Sequence, residues 1–418
     1  MPDAASMSPA VPKPAHVPDA LVYDFDMFAD PAYLANPHDR ILDVIKNAPP
    51  IFWSPRRGGH WMLISHDAIF EASRDWEGFS SEFMSRAQEK AMRAMLPADA
   101  PHIPRALPIS VDPPDHTKYR LPLQAAFAPK AVAALKPQIT ALANQLIDRV
   151  VDRGRCEFVA DIAEPLPVQV FLKMMGLPLE RQPEFRAIVK EHLANVDYDM
   201  MKTISMLRNI AASMRETILE RRDEPRDDLI SLLWQSKIDG EPTTFEDLEN
   251  YSVLLFIAGL DTVMNGMTFG IRHIAQDRPL QDRLRADPSL IAEAVEELLR
   301  RYTFTVPVRR VAKDLVFQGV AMKEGDRVSL FLPAADLDPK EFPDPARFDL
   351  DRENKTHIAF NTGVHRCLGS HLARIELQIL YEEMLKRLPP FRLDADNPPT
   401  FHGGNVVGAN ALYLLWDV

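Results

Sequence analysis

Apolar residues recur at spacings of three and four along much of this chain. From Lys130 to Arg153, the residues Val132, Leu135, Ile139, Leu142, Leu146 and Val150 share one helical face. Similar patterns predict helices over 200–222, 245–276, 288–302 and 369–388. The longest, Phe245 to Gln276, runs on the order of 30 residues and about 45 Å. Strand-like runs are short: Trp61–Ile64, Arg309–Val311, Leu315–Phe317, Val328–Leu332 and Leu412–Trp416. Gln318-Gly319 and Glu324-Gly325-Asp326 supply turn chemistry between them. No internal repeat or Gly/Ser linker divides the chain, and its Pro pairs read as turns inside one unit. The pattern predicts a mainly α fold with small β-sheets. A single domain over 21–418 follows a flexible tail, residues 1–20, which is rich in Ala and Pro and has no signal-peptide core.

Composition narrows the picture. Among 418 residues there are 48 Lys+Arg against 60 Asp+Glu, a formal charge of −12 that argues against a nucleic-acid binder. Only two cysteines occur, Cys156 and Cys367, which excludes a disulfide framework and any four-cysteine metal site. The apolar run Val253–Leu260 stops at Asp261, short of the roughly 18 residues that span a bilayer. A cytoplasmic protein with no membrane partner is expected.

Four short stretches carry chemistry. In Phe360-Asn361-Thr362-Gly363-Val364-His365-Arg366-Cys367-Leu368-Gly369, a glycine-bearing loop ends in a cysteine just before a helix, where backbone N–H groups favour a thiolate. Glu297-Leu298-Leu299-Arg300 sets an acid and a base three apart on one helix face, either a solvated surface pair or a structural one. Ala258-Gly259-Leu260-Asp261-Thr262 puts Gly and Asp inside an apolar helix, against propensity and burial. Asp261 either points to solvent, with Thr262 bonding back to its own helix, or serves a function. Finally, Asp112-Pro113-Pro114-Asp115-His116-Thr117-Lys118-Tyr119-Arg120 starts a helix with His116 and Arg120 on one face, a pairing suited to an anion.

The cysteine loop resembles the haem-binding loop of the cytochrome P450 superfamily, in which the cysteine is the axial iron ligand. Asn361 stands where that family commonly has Gly, and Asn tolerates the left-handed backbone. Glu297 and Arg300, about 70 residues upstream, match the family's structural pair. Asp261 and Thr262 match its acid–alcohol pair for dioxygen activation, and GLDTVMNG is especially similar to the camphor-hydroxylase group. So are the stretches Val17–Phe28, Gly58–Trp61, Phe79–Glu82 and Leu414–Asp417, so the resemblance covers nearly the whole chain.

The resemblance implies a P450 fold and a haem-thiolate monooxygenase. Cys367 would ligate the iron of haem b, while His116, Arg120, Arg309 and His365 would bind its carboxylates. Asp261 and Thr262 would relay protons, and Cys156 would be a structural thiol. Electrons would come from a [2Fe–2S] ferredoxin and an FAD-dependent ferredoxin reductase, met by Arg120, Lys355 and Arg366, with the protein a monomer. Pro104, Ile109, Leu254, Ile257, Ala258, Thr305 and Val406 would line the pocket, and Pro307 stands where the camphor hydroxylase has an acid. That enzyme's substrate-bonding tyrosine falls at Pro104, which has no hydroxyl. The implied substrate is therefore a small apolar terpenoid or an ionone-like norisoprenoid held by shape. Camphor or another monoterpenoid is the alternative, with His102 supplying the hydrogen bond. Met84, Met92, Met95 and Leu96 would form an adaptable lid. Two other classes stay open: a haem-binding sensor without turnover, and a haem-independent helical binding protein with Cys367 in its core.

Overall fold

The computed structural model describes residues 7–82, 102–194 and 200–418. The lid residues Met84, Met92, Met95 and Leu96 lie outside the described residues. Helices dominate, with small sheets at their margins, as the periodicity predicts. Two expected helices are divided. The Lys130–Arg153 pattern is two helices, Pro129–Ala134 and Lys136–Asp148, because Pro137 can serve only in a first turn. The long apolar run is α1 (Phe245–Gly259) followed by α2 (Asp261–Gln276). By length and composition it passes for a membrane span, and 78% of its apolar window is buried inside the protein.

The main sheet has five strands in the order β1 (Ile51–Ser54), β2 (His60–Leu63), β5 (Arg327–Leu330), β4 (Val308–Val311), β3 (Phe79–Ser80). Only β2 and β5 run parallel. Left-handed Gln318 and Gly319 (φ 46° and 82°) turn the small hairpin between Leu315–Phe317 and Val320–Met322.

Two helices fix the centre of the molecule. The helix α4 (Ser370–Arg387) follows the cysteine loop and crosses α2 closely. A Cβ on Gly270 would fall 1.9 Å from the Tyr381 hydroxyl, so only glycine admits this approach. Tyr381 Oη donates to Gly266 O at 2.8 Å, locking the crossing. The third central helix, α3 (Ile291–Arg301), packs on both.

The N-terminal segment differs from expectation. Residues 8–22 lie against the body rather than trailing from it. Val11 N donates to Pro55 O, Ser8 N to Asp26, and Val17 is buried. His16 Nε2 sits 3.0 Å from Asp326, which also accepts from the Trp61 indole. A Pro-rich strap lacks periodicity, so its docking is invisible in pattern; the sites that hold it lie elsewhere in the chain.

Candidate active site

The cysteine loop owes its shape to two left-handed residues, Asn361 (φ 57°) and Gly363 (φ 70°). Asn361 takes the conformation its side chain tolerates, and its Oδ1 accepts from Thr362 N at 2.8 Å. Gly363 is obligatory, because a Cβ there would lie 2.4 Å from Ser73 O. Cys367 N donates to Phe360 O at 2.8 Å, closing the loop just before α4. Cys367 is solvent-accessible yet deeply set. Burial pushes its thiol up; the Gly369 N–H and Arg120, Arg374 and Arg366 pull the other way without reversing it. The loop therefore presents a thiol, and a bound cation is what would hold it as thiolate.

Beneath the loop lies a buried scaffold. Glu297 and Arg300 are both fully buried and meet through two 2.8 Å hydrogen bonds, so the surface-pair reading fails. Arg300 Nη1 also donates to Asp336 O at 2.8 Å, and Asp336 Oδ1 accepts from Ile358 N at 2.8 Å, where the loop begins. Glu297 further accepts from Arg352 and from Asp349 N, both at 3.0 Å. A second cluster ties α3 to α4: Arg374 donates twice to Glu296, with His357 Nε2 at 3.3 Å. Burial pushes Glu296 up, but the hydrogen bonds from His357 and Arg374 outweigh it and carry the carboxyl down to about 2.

One rim of the site gathers the residues expected to bind carboxylates. The His116 and His365 rings meet edge-on at 4.5 Å, and His365 Nε2 lies 3.6 Å from Asp112. Asp112 accepts from Ser80 Oγ and Ser81 N. Burial lowers His116 to about 4, and also lowers His365. Burial thus disfavours the charged form of both rings. Each has a buried Nε2 with no hydrogen-bond partner among the described residues. Arg309 is buried, bonds among the described residues only its own strand through Val308 O at 2.9 Å, and is lowered by burial to about 10. Arg120 Nη2 donates to Arg366 O at 2.7 Å. An accessible thiol beside orphaned imidazoles and an unpaired buried guanidinium fits haem, which offers iron to the first and carboxylates to the others.

Facing this rim is the break between α1 and α2. Thr262 Oγ1 donates to Ala258 O at 2.9 Å, and Asn265 Nδ2 to Asp261 O at 3.0 Å, so side chains take over carbonyls at the break. Asp261 is buried rather than solvent-facing, and burial pushes its carboxyl up. Ala258 is exposed, and a Cβ on Gly259 would meet nothing within 4 Å, so this turn lies along open space.

The expected pocket residues are partly brought together. Thr305 and Val406 pair as an isolated β-bridge, and on α1 Leu254 lies one turn before Ala258 and Ile257 directly before it. Pro104 is buried, whereas Ile109 is 51% exposed. His102 Nε2 is 3.1 Å from Asn250 Oδ1, which also accepts from Arg105 N. Of the expected partner-facing cations, Lys355 is paired with Glu293 at 2.7 Å. Arg366 is exposed, with no ion pair among the described residues.

Sequence reasoning missed Arg352, Asp336, and the Glu296–His357–Arg374 cluster, which no local spacing marks. It also missed Asn265 and His402 beside Asp261. Asn265 had a signal, lying one helical turn after the acid; His402 had none.

Comparisons with known proteins agree with this geometry. The family profile described as Cytochrome P450 matches residues 167–412. A probable cytochrome P450 127A1 of Sinorhizobium fredii is 35% identical over 417 residues, covering 97% of each chain. A steroid C26-monooxygenase of Mycobacterium tuberculosis is 33% identical, over 82% of this chain and 90% of its own. Among solved structures, CYP101J2 has a TM-score of 0.86 at 32% identity, covering 98% of this chain and 100% of that one. CYP101C1 has a TM-score of 0.85 at 31% identity, covering 97% and 100%.

Proposed function

The chain belongs to the cytochrome P450 family, a monooxygenase family that binds haem through a cysteine thiolate, and from that premise we propose that it hydroxylates a compact apolar terpenoid or ionone-like norisoprenoid. What supports the substrate class is the chemistry of the residues expected to line the pocket: Leu254, Ile257, Ala258 and Val406 are apolar, and Pro104 offers no donor. His102, the alternative anchor for a ketone such as camphor, is engaged with Asn250, which favours recognition by shape.

When bound, haem supplies the dioxygen-activating and electron-accepting chemistry. Cys367 holds it from the loop, while Arg120, Arg309, His116 and His365 bind its carboxylates. Thr262 and Asp261 hold protons at Oγ1 and Oδ2 on the opposite side, and the apolar lining excludes bulk water. Glu297 and Arg300 are scaffold and touch no reacting atom. The electron donor is an acidic [2Fe–2S] ferredoxin served by an FAD-dependent reductase, docking at exposed Arg366. Lys355, paired with Glu293, adds little there. The protein acts as a cytoplasmic monomer.

A panel of terpenoids screened for the low- to high-spin absorbance shift tests the substrate class. Ionones and similar compact terpenoids should give the largest shifts; a response to steroids alone would overturn it. Arg366→Glu should slow ferredoxin-driven turnover and flatten its salt dependence. Unchanged kinetics would remove the docking assignment.

A further inference from the structure

A buried carboxyl that passes protons needs a route to solvent, and the surroundings of Asp261 contain one. Asp261 Oδ1 accepts from Asn265 Nδ2 at 3.2 Å, while Oδ2 has no partner among the described residues. Two further buried polar atoms are orphaned in the same place, Asn265 Oδ1 and His402 Nε2. They converge on Gly408: a Cβ there would lie 2.3 Å from Asn265 Oδ1 and 2.6 Å from His402 Nε2. Gly408 faces His402 across the hairpin of Thr400–His402 and Gly408–Ala411. The other ring nitrogen, His402 Nδ1, is 2.8 Å from Asn410 Oδ1, and Asn410 is exposed.

This arrangement has a direction. Nδ1, beside exposed Asn410, is the ring atom on the solvent side, and buried Nε2 is the one on the Asp261 side. Asn265 commits its amide hydrogens to Asp261, so its oxygen is left as an acceptor toward the imidazole. Orphaned buried polar atoms are normally met by ordered water, and glycine at 408 lets Asn265 Oδ1 and the His402 ring close against the backbone, where a Cβ would stand within 2.3–2.6 Å of them. Arg272 lies over the Phe401 ring at 5.3 Å, with its Nε unpartnered among the described residues, and among these residues it is His402 whose charge acts on the Asp261 carboxyl.

We propose that His402 is the residue through which Asp261 exchanges protons with solvent, by water held between Asp261, Asn265 and His402. A proton taken up at Nδ1, on the solvent side, makes the ring an imidazolium. Its Nε2 hydrogen passes through water to Asp261 Oδ2, and the ring returns to neutral. One proton enters and one carboxylate is protonated. The inference deepens the proposed function, since it rests on Asp261 as a proton carrier. His402 acts through Asp261 and is a positioning residue.

The test is the carboxyl infrared band of Asp261 in purified holoenzyme without substrate or ferredoxin, assigned by its loss in Asp261→Asn and followed against pH. His402→Phe should move the band's midpoint up, because the neighbouring imidazolium that lowers it is gone. It should also slow exchange of the band into D2O. Gly408→Ala, which inserts a methyl where the orphaned atoms converge, should slow exchange as well. If His402→Phe does not fold, His402→Gln keeps a hydrogen-bonding tip but carries no proton, and should behave alike. An unshifted midpoint and unchanged exchange in the His402 variant overturn the proposal. The band requires neither substrate nor redox partner, so failure of the terpenoid or ferredoxin reading would leave this result standing, and the converse holds too.

Discussion

In the scaffold around Glu297 and Glu296, charge taken out of solvent is met by opposite charge. Glu297 is met by Arg300, Arg352 and the Asp349 N–H, and Glu296 by Arg374 and His357. Across the site, at the α1–α2 break, the polar atoms Asp261 Oδ2, Asn265 Oδ1 and His402 Nε2 have no protein partner among the described residues. The difference reflects two tasks. A loop that must hold one geometry is fixed by redundant hydrogen bonds, because a buried ion left half-paired is costly. A segment that moves protons needs groups free to change partners, and complete satisfaction would immobilise them. Stability should therefore be concentrated on the cysteine side and chemistry on the other.

Substitutions on the two sides should separate these properties. The largest effect is expected from Arg300→Ala, which strands Glu297 without its bidentate partner and should cost about 3–5 kcal/mol in urea unfolding. Near-neutral stability in this variant would erase the contrast. Gly363→Ala combines a left-handed backbone with a contact on Ser73 O and should cost about 1–3 kcal/mol, along with a weakened haem signature.

The Glu296 cluster sharpens the comparison through pH. Its folded pKa of about 2 lies below the ordinary 4.5, so its contribution is full above about 4.5 and is lost as pH falls toward 2. Urea midpoints for the wild type should drop over this window, and Glu296→Gln should lack that part of the drop. The smallest stability effect is expected from Thr262→Ala, which removes one hydrogen bond to Ala258 O, about 1 kcal/mol or less. Its readout is chemical: more dioxygen should be consumed per hydroxylated product. Tight coupling in this variant would count against Thr262 as a proton carrier.

The cysteine side was also the more legible in sequence. Its loop is a contiguous run whose Gly363 and Asn361 sit where the backbone turns left-handed, so composition and conformation coincide locally. Glu297 and Arg300 lie one helical turn apart, again a local relation. The partners that complete the scaffold, Arg352, Asp336, His357 and Arg374, come from separate loops and a second helix. Their spacing along the chain carries no periodic signal. On the opposite side, the apolar period predicted one helix over 245–276. The break at Leu260 depends on Thr262 and Asn265 turning onto backbone carbonyls.

Sequence alone therefore determined the mainly helical class, the cysteine loop with its left-handed residues, and the family. These rest on periodicity and short-range sterics. Tertiary structure decided which charges are buried and paired, that burial disfavours charge on His116 and His365, that residues 8–22 are docked, and that His402 stands beside Asp261. Burial and electrostatic compensation depend on which distant segments meet, and that is settled only when the chain packs.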